Sequence, residues 1–475
     1  MKNYKYDAVI VGSGPNGLAA GIYLAQKKLS VLIVEAKSEI GGGMRSAELT
    51  LPGFTHDICS AIHPLTIASP FFRSLRLQDL GLEFVQSKAS VAHPLDDGTA
   101  ILLKKSIAET AAGLGSDAEN YKKLVTHFTR NFGKLAPDLL APLRFPNHPF
   151  LMANFGLTAF RSAKQLADSY FKDVRARAMF AGNAAHSMIP LEDIPSAAFG
   201  IVLLLTAHAV GWGFPKGGAN KIADTLSNYF LTLGGEIQTD FEVKNIDELP
   251  KSRAVLFDLT PRQIIKIAGH RLPDSYVKRL EKFKYGAGAF KMDFALSDAI
   301  PWKAKECFDA ATVHLGGTFE EIAAGERAHD EGKIVEKPFV LVAQQTLFDQ
   351  TRAPQGKHTA WAYCHVPNGS TVDMTDIIEN QIERFAPGFR DCILAKAVKS
   401  PAELEAQNAN YIGGDINGGA GIVSQLFTRP VVKFDPYSMP SKGLYICSSS
   451  TPPGGGVHGM CGYHAAKSAY KNEFK

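Results

Sequence analysis

The sequence predicts an α/β protein in which a nucleotide-binding layer is assembled from separated stretches of chain around an inserted α+β portion. Three observations lead there. Residues 6–35 run strand, glycine turn, helix, strand; residues from about 105 to 214 are dominated by helical spacing; and strand-length apolar runs return after residue 250 and again at Leu444–Ile446. At 475 residues the chain is long for one ordinary domain. The segments 1–75, 215–260 and 430–475 are expected to form the nucleotide-binding domain, with 76–214 and 261–429 as substrate domain and helical subdomain.

The elements follow in order. Tyr6–Val11 (YDAVIV) is an apolar run of strand length, GSGPNG is a turn, GLAAGIYLAQK has helical periodicity, and SVLIVE is the second strand. The proline-rich stretch Pro137–Pro149 is expected to be an irregular connection, because proline cannot continue a helix. Lys221–Leu233 reads as a helix, followed by a turn and a strand that includes Glu242–Ile246, then an apolar run at Ala254–Leu259. Short strands such as PFVLVAQQ and a helix near Asp376–Phe385 fill the interval to 430. Leu444–Ile446 then opens a last strand before a glycine-rich turn and a terminal helix.

Composition excludes several classes. Lys plus Arg total 51 against 47 Asp plus Glu, a net charge of +4, too small and dispersed for a nucleic-acid footprint. The six cysteines include no CxxC pair and no zinc spacing, so they read as reduced thiols of a cytoplasmic protein, and no metal is expected. The start MKNYKYD lacks the pattern of an export signal.

Chemistry begins at Gly12, Gly14 and Gly17. In a turn between strand and helix the first glycine permits the tight bend, the second lets backbone approach a pyrophosphate, and the third allows close packing of helix on strand. The helix N-terminus faces the phosphates. Glu35 closes the second strand 18 residues after Gly17, near the roughly 20 expected of a carboxylate that binds ribose hydroxyls. The segment EAKSEIGGGMRS then adds three glycines and Arg45, which favours FAD over NAD as the dinucleotide.

GSGPNGLAA, EAKSEIGGGMRS and GLYICSSSTPPGGGVHGMCGYHAA together resemble the flavin-binding signature of the phytoene desaturase and amine oxidase superfamily. QGKHTAWAYCHVPNGS, ERFAPGF and NANYIGGDINGGA resemble its phytoene-dehydrogenase-like group, and the likeness spans nearly the whole chain. The resemblance implies a Rossmann-like FAD domain in which the first glycine motif holds the ADP half, the GG-x-R segment holds the pyrophosphate and flavin edge, and the last strand and helix hold the ribityl chain and pyrimidine ring. The expected FAD-binding set is Gly12, Ser13, Gly14, Pro15, Asn16, Gly17, Glu35, Ala36, Gly42, Gly43, Met44, Arg45, Ser46, Val243, Ser450, Gly456, Val457, Gly459 and Met460. Within it the Met460 N–H is expected on a flavin carbonyl, and hydroxyls of Ser448–Thr451 stand where amine oxidases place an acid.

No second strand-turn-helix unit for a nicotinamide cofactor is visible, since GAGAFK lacks the third glycine and runs into strand-like MDFAL. A flavin reduced by an organic substrate and reoxidised by oxygen or a quinone is therefore expected. His63 and His458 are the candidate catalytic histidines, and His358, Trp361, Tyr363 and His365 alternate as on a strand. Ala197–Phe214 is uncharged, and leaves open a buried helix, a wall of an apolar tunnel or peripheral membrane-docking surface, and a membrane span; its glycines and flanking prolines favour the first. The resemblance implies a hydrophobic substrate and dehydrogenation of a carbon–carbon bond, with amine oxidation and a redox-neutral isomerase or non-catalytic flavoprotein as alternatives.

Overall fold

The computed structural model describes residues 4–475. The chain enters through β1 (Tyr6–Val11), α1 (Pro15–Gln26) and β2 (Val31–Val34), the unit read from the sequence. Next come β3 (Ala89–Pro94) and β4 (Ala100–Lys104). The helical portion contains α2 (Ala118–Arg130), α3 (Phe132–Leu139), α4 (Pro149–Ala159), α5 (Val174–Ala185) and α6 (Ser196–Ala209). The chain continues through α7 (Asn220–Thr232), β5 (Glu236–Gln238) and β6 (Ser252–Phe257). It then runs through β7 (Gly288–Leu296), β8 (Thr312–Leu315), α8 (Phe319–Asp330), β9 (Val340–Ala343), β10 (His358–Val366) and β11 (Ile393–Lys399). It closes with β12 (Leu444–Ile446) and α9 (Met460–Glu473).

Two sheets organise these elements. The first is parallel, with strand order β12-β6-β1-β2-β5, so strands from three distant parts of the chain lie side by side. Its central strands are buried almost throughout and correspondingly apolar, as a parallel sheet covered on both faces requires. On one face α1 packs against α9 and α7 around Leu18, Ile22, Leu226 and Ala466. The second sheet, β11-β7-β10-β9-β8-β3-β4, is largely antiparallel. One of its faces forms an apolar core around Phe290, Phe294 and Val342. The other carries Trp361, Tyr363 and Leu341 toward the helical portion.

Three sequence expectations change, and the favoured reading of Ala197–Phe214 as a buried helix stands. Pro137 lies inside α3, near its C-terminal end, where its missing N–H costs one intrahelical bond, and the irregular connection begins only at Leu140. Glu242–Ile246 is not a strand. Asp240 turns the chain at φ 54°, and the Phe241 N–H donates to the Glu35 carbonyl at 2.9 Å, which carries Val243 across the end of the parallel sheet rather than along its edge. The strands after residue 285 include two of nine residues, β7 and β10, paired along their whole length. Ala197–Phe214 holds a helix of only 14 residues, buried at Ala197, Ile201, Leu204 and Leu205. Among the described residues no helix is long and apolar enough to cross a membrane.

Candidate functional site

A cavity of about 580 Å³ runs from the ends of β1 and β2 to the aromatic side chains of β10. Gly12 stands at its root. Its φ of +103° is one that side chains rarely adopt, and its N–H donates to the Val34 carbonyl at 2.8 Å, locking β1 to β2 where the turn begins. A Cβ on Gly17 would sit 2.0 Å from the Gly12 carbonyl oxygen, so α1 starts this close to β1 only with glycine there. The loop between them, Ser13 to Asn16, lines the cavity, and the Asn16 Oδ1 is buried without a partner.

Glu35 lines the cavity and braces this loop. Its Oε2 accepts from the Ser13 N–H at 3.0 Å and Oγ at 2.6 Å, and its Oε1 accepts from the Lys37 N–H at 3.0 Å. A carboxylate has about four lone-pair directions, so capacity for hydroxyl donors is left. Opposite, Asp258 follows β6 and accepts from the Gly17 N–H at 2.9 Å. Burial pushes its carboxyl up to about 7 against the lowering effect of that bond, and the Glu35 charge adds to the rise. Sequence reading missed Asp258; the signal available was an acid at the end of an apolar run parallel to β1.

The remaining walls come from afar. Ala36, Gly42, Gly43 and Arg45 line one side, with the Arg45 Nε donating to the Gly42 carbonyl at 3.0 Å. Val243 closes the far end, and Ser450, Gly456 and Val457 come from the stretch before α9. A Cβ on Gly42 would lie 3.1 Å from the Gly14 Cα, and one on Gly14 would lie 2.7 Å from the Asp258 Oδ2. This narrow cradle of backbone fits a dinucleotide, and side chains would fill it.

Several expected residues lie elsewhere. Met44 is buried in the core beneath the parallel sheet. Ser46 points away from the cavity, its Oγ donating to the Asp57 Oδ1 at 2.7 Å and accepting from the Asn220 N–H at 3.2 Å. Gly17 serves packing rather than lining, and Gly459 abuts Phe72 and Ala19. The Met460 N–H is taken by the His458 Nδ1 at 3.0 Å, so it is not free for a flavin carbonyl. His458 itself is buried off the cavity: the left-handed Gly459 folds its ring back over the start of α9, where it works as a cap. Of the residues expected in this stretch, Gly456 and Val457 form the closing wall.

His63 does reach the cavity. Neither ring nitrogen has a partner, and burial pushes its pKa down to about 4, leaving it neutral at pH 7. Beyond it lies a chamber walled by Leu203 of α6, Trp212, Leu341, Trp361 and Tyr363. Strand alternation put Trp361 and Tyr363 on the same face of β10, their rings 5.0 Å apart at 67°. His358 faces the other way, its Nδ1 3.1 Å from the Thr346 Oγ1. His186 also lines the chamber, its Nε2 3.0 Å from that of His314, with burial pushing its pKa down to about 3. No spacing rule could have brought His186 to β10. His365, next on the same face, lies 2.8 Å from the Glu326 Oε1. The Glu326 Oε2 lies 3.0 Å from the His329 Nε2. Against burial, the two imidazoles hold the Glu326 carboxyl down to about 2.

Comparisons with known proteins agree with this geometry. Residues 10–75 match the family described as NAD(P)-binding Rossmann-like domain. Pyridine nucleotide-disulfide oxidoreductase domain-containing protein 2 of Rattus norvegicus is 24% identical, the match covering 98% of this chain and 94% of the relative. Phytoene desaturase (lycopene-forming) of Pseudescherichia vulneris is 22% identical over 95% and 96%. The 4,4'-diapophytoene desaturase (4,4'-diaponeurosporene-forming) of Staphylococcus aureus is 23% identical over 94% and 95%. Among solved structures, an oxidoreductase from Methanosarcina mazei superposes with a TM-score of 0.66 at 16% identity, covering 98% of this chain and 99% of its own. Putrescine oxidase bound to putrescine superposes at 0.62 with 15% identity, covering 98% of both chains; at these identities the likeness speaks for the fold.

Fold, cradle and relatives define an FAD-dependent oxidoreductase. More narrowly, the chain is similar along nearly its whole length to phytoene and diapophytoene desaturases.

Proposed function

We propose that the protein dehydrogenates a carbon–carbon bond of a hydrophobic molecule. The observation that carries this reading is the continuity of one cavity from the glycine cradle to a chamber walled by Leu203, Trp212, Leu341, Trp361 and Tyr363, with no carboxylate in that chamber half. In this reading the segments 1–75, 215–260 and 430–475 hold the cofactor, and 76–214 and 261–429 receive the substrate.

Bound FAD supplies a two-electron acceptor for hydride. Gly12–Asn16 and Gly42–Arg45 would hold its phosphates, Glu35 would accept from ribose hydroxyls, and Gly456–Val457 would close over the flavin end. The apolar walls exclude water and align a carbon chain. Dehydrogenation releases one hydrogen as hydride and one as a proton; neutral His63 accepts the proton at an unpartnered ring nitrogen. Oxygen or a quinone would be the final electron acceptor.

Amine oxidation is the second reading, favoured by the aromatic surface of Trp361 and Tyr363. An anaerobic screen that follows flavin bleaching separates the two. Apolar alkenes and isoprenoid chains are expected to bleach the flavin, whereas amines, NADH and NADPH leave it oxidised. Bleaching by an amine, with peroxide formed on admitting air, would transfer the assignment to amine oxidation.

A further inference from the structure

One carboxylate outside the flavin cavity is enclosed with two imidazoles. Glu326 and His329 stand three residues apart on α8, so both project from the same side of the helix. His365 meets them from β10, on the strand face that also carries Trp361 and Tyr363. All three side chains are buried. Three other enclosed acids pair with Lys or Arg: Asp57 with Arg352, Asp293 with Lys291, and Glu379 with Arg390 and Lys396. Glu326 has no Lys or Arg partner among the described residues. Its Oε1 and Oε2 lie 2.8 and 2.9 Å from the His365 Nδ1, and its Oε2 lies 3.0 Å from the His329 Nε2. An unperturbed imidazole is mostly neutral at pH 7, so hydrogen bonds from two of them leave a buried negative charge without a full countercharge.

A cation held between the three residues supplies that countercharge, and the spacing suits one. Two ligands at about 2.1 Å from a metal ion, subtending about 90° to 110°, lie about 3.0 to 3.4 Å apart. The two carboxylate–imidazole edges therefore need to open by only a few tenths of an ångström, and the three ligand atoms lie within 4.8 Å of one another. Two imidazole nitrogens and one carboxylate oxygen suit zinc and its first-row neighbours, whereas magnesium and calcium take oxygen ligands. A path inward exists, because His329 is followed directly by residues 330–333, which are exposed.

We propose that the Glu326 carboxylate, the His329 Nε2 and the His365 Nδ1 bind one zinc-class divalent cation, which leaves a fourth position to water and ties α8 to β10. The His365 ring packs 5.5 Å from Tyr363 and 5.8 Å from Phe339, so the tie steadies the strand that carries the aromatic wall of the chamber. The role is structural. None of the three residues lines the flavin cavity, so the test of this site stands apart from the redox reading.

Equilibrium dialysis of the FAD-loaded, chelator-stripped protein against zinc, with the metal counted by mass spectrometry, tests the proposal. The wild type is expected to bind one zinc per chain, undisturbed by excess magnesium, and to melt at a higher temperature as free zinc rises. His329→Gln and His365→Gln each keep a neutral donor toward Glu326. Each is expected to weaken zinc binding by at least the roughly tenfold to hundredfold that loss of a supporting group alone costs, and to remove the zinc-dependent rise in melting temperature at unchanged flavin content. His127→Gln, which removes an exposed histidine of α2, should match the wild type. Failure of the wild type to take up zinc near one per chain overturns the proposal and leaves the trio a buried ion pair. Equal zinc binding by the wild type and both glutamine variants also overturns it and assigns the metal to other histidines. Anomalous scattering from zinc in wild-type crystals locates the ion without any variant: a peak between the three side chains is expected, and a peak elsewhere overturns the proposal.

Discussion

At the scale of single residues the cradle is governed by two acids, Glu35 and Asp258, that face the same glycine loop. Glu35 engages Ser13 and Lys37, whereas Asp258 accepts one backbone N–H and is otherwise enclosed, which is why burial lifts its carboxyl to about 7. Below that pH Asp258 holds a proton and presents no charge to an incoming pyrophosphate; above it the carboxylate opposes the phosphates. FAD affinity is therefore expected to fall by an amount on the order of tenfold as pH rises through about 7, about 1.4 kcal/mol. Asp258→Asn keeps an acceptor for the Gly17 N–H and should remove the fall. Equilibrium dialysis across that range checks it, and parallel curves for the two proteins would remove Asp258 from the account. The glycine turn and Glu35 were legible in the sequence because they belong to one βαβ unit, in which the Glu35 side chain engages Ser13 of the turn. Asp258 was not, since the pairing of β6 with β1 brings it there from more than two hundred positions away.

At the scale of elements the decisive packing is α1 on α9, which joins the two ends of the chain. Gly462 makes it possible: a Cβ there would lie 1.8 Å from the Asn16 carbonyl oxygen, on the loop that lines the cradle. Gly462→Ala is expected to destabilise the protein by about 1 to 3 kcal/mol through overpacking and to lower its flavin content. Gly133→Ala, in α3 with open space around the new Cβ, is expected to be neutral or slightly stabilising. Denaturant unfolding of both variants checks the contrast. The terminal helix was legible from its glycine turn and periodicity, but its orientation was not. The expectation that Met460 faces the cofactor followed from the family resemblance and helix-terminus electrostatics together, and both left out a local competitor, the His458 ring that caps the same N–H. The HTAWAYCH strand fared better, since two-residue alternation by itself puts Trp361 and Tyr363 on one face. Which face, and which helix opposes it, depends on sheet order that no local pattern encodes.

At the scale of the whole molecule, burial of neutral imidazoles sets the response to acid. His63, His93, His186 and His458 are all enclosed, and burial pushes their pKa values down to about 4, 4, 3 and 4. The unfolded chain binds protons at these groups below about pH 6.5 and the folded chain does not, so stability is present above that pH and is lost as pH falls toward 4. Melting temperature is expected to drop steeply over this window, each fully shifted proton adding about 1.4 kcal/mol per pH unit. A flat profile between pH 6.5 and 4 would mean that these rings are solvated. The account rests most heavily on the joining of distant segments into one dinucleotide site, and the direct measurement is flavin binding by the purified apoprotein, with FAD and FMN compared in wild type and in Gly456→Val. Gly456 has a φ of +120°, and an added Cβ would meet Leu65 at 2.8 Å, so valine should deform the closing wall of the cavity. The account predicts one FAD per wild-type chain, much weaker FMN binding and a large loss of FAD affinity in the variant. FMN bound as tightly as FAD, or FAD bound unchanged by Gly456→Val, would contradict it.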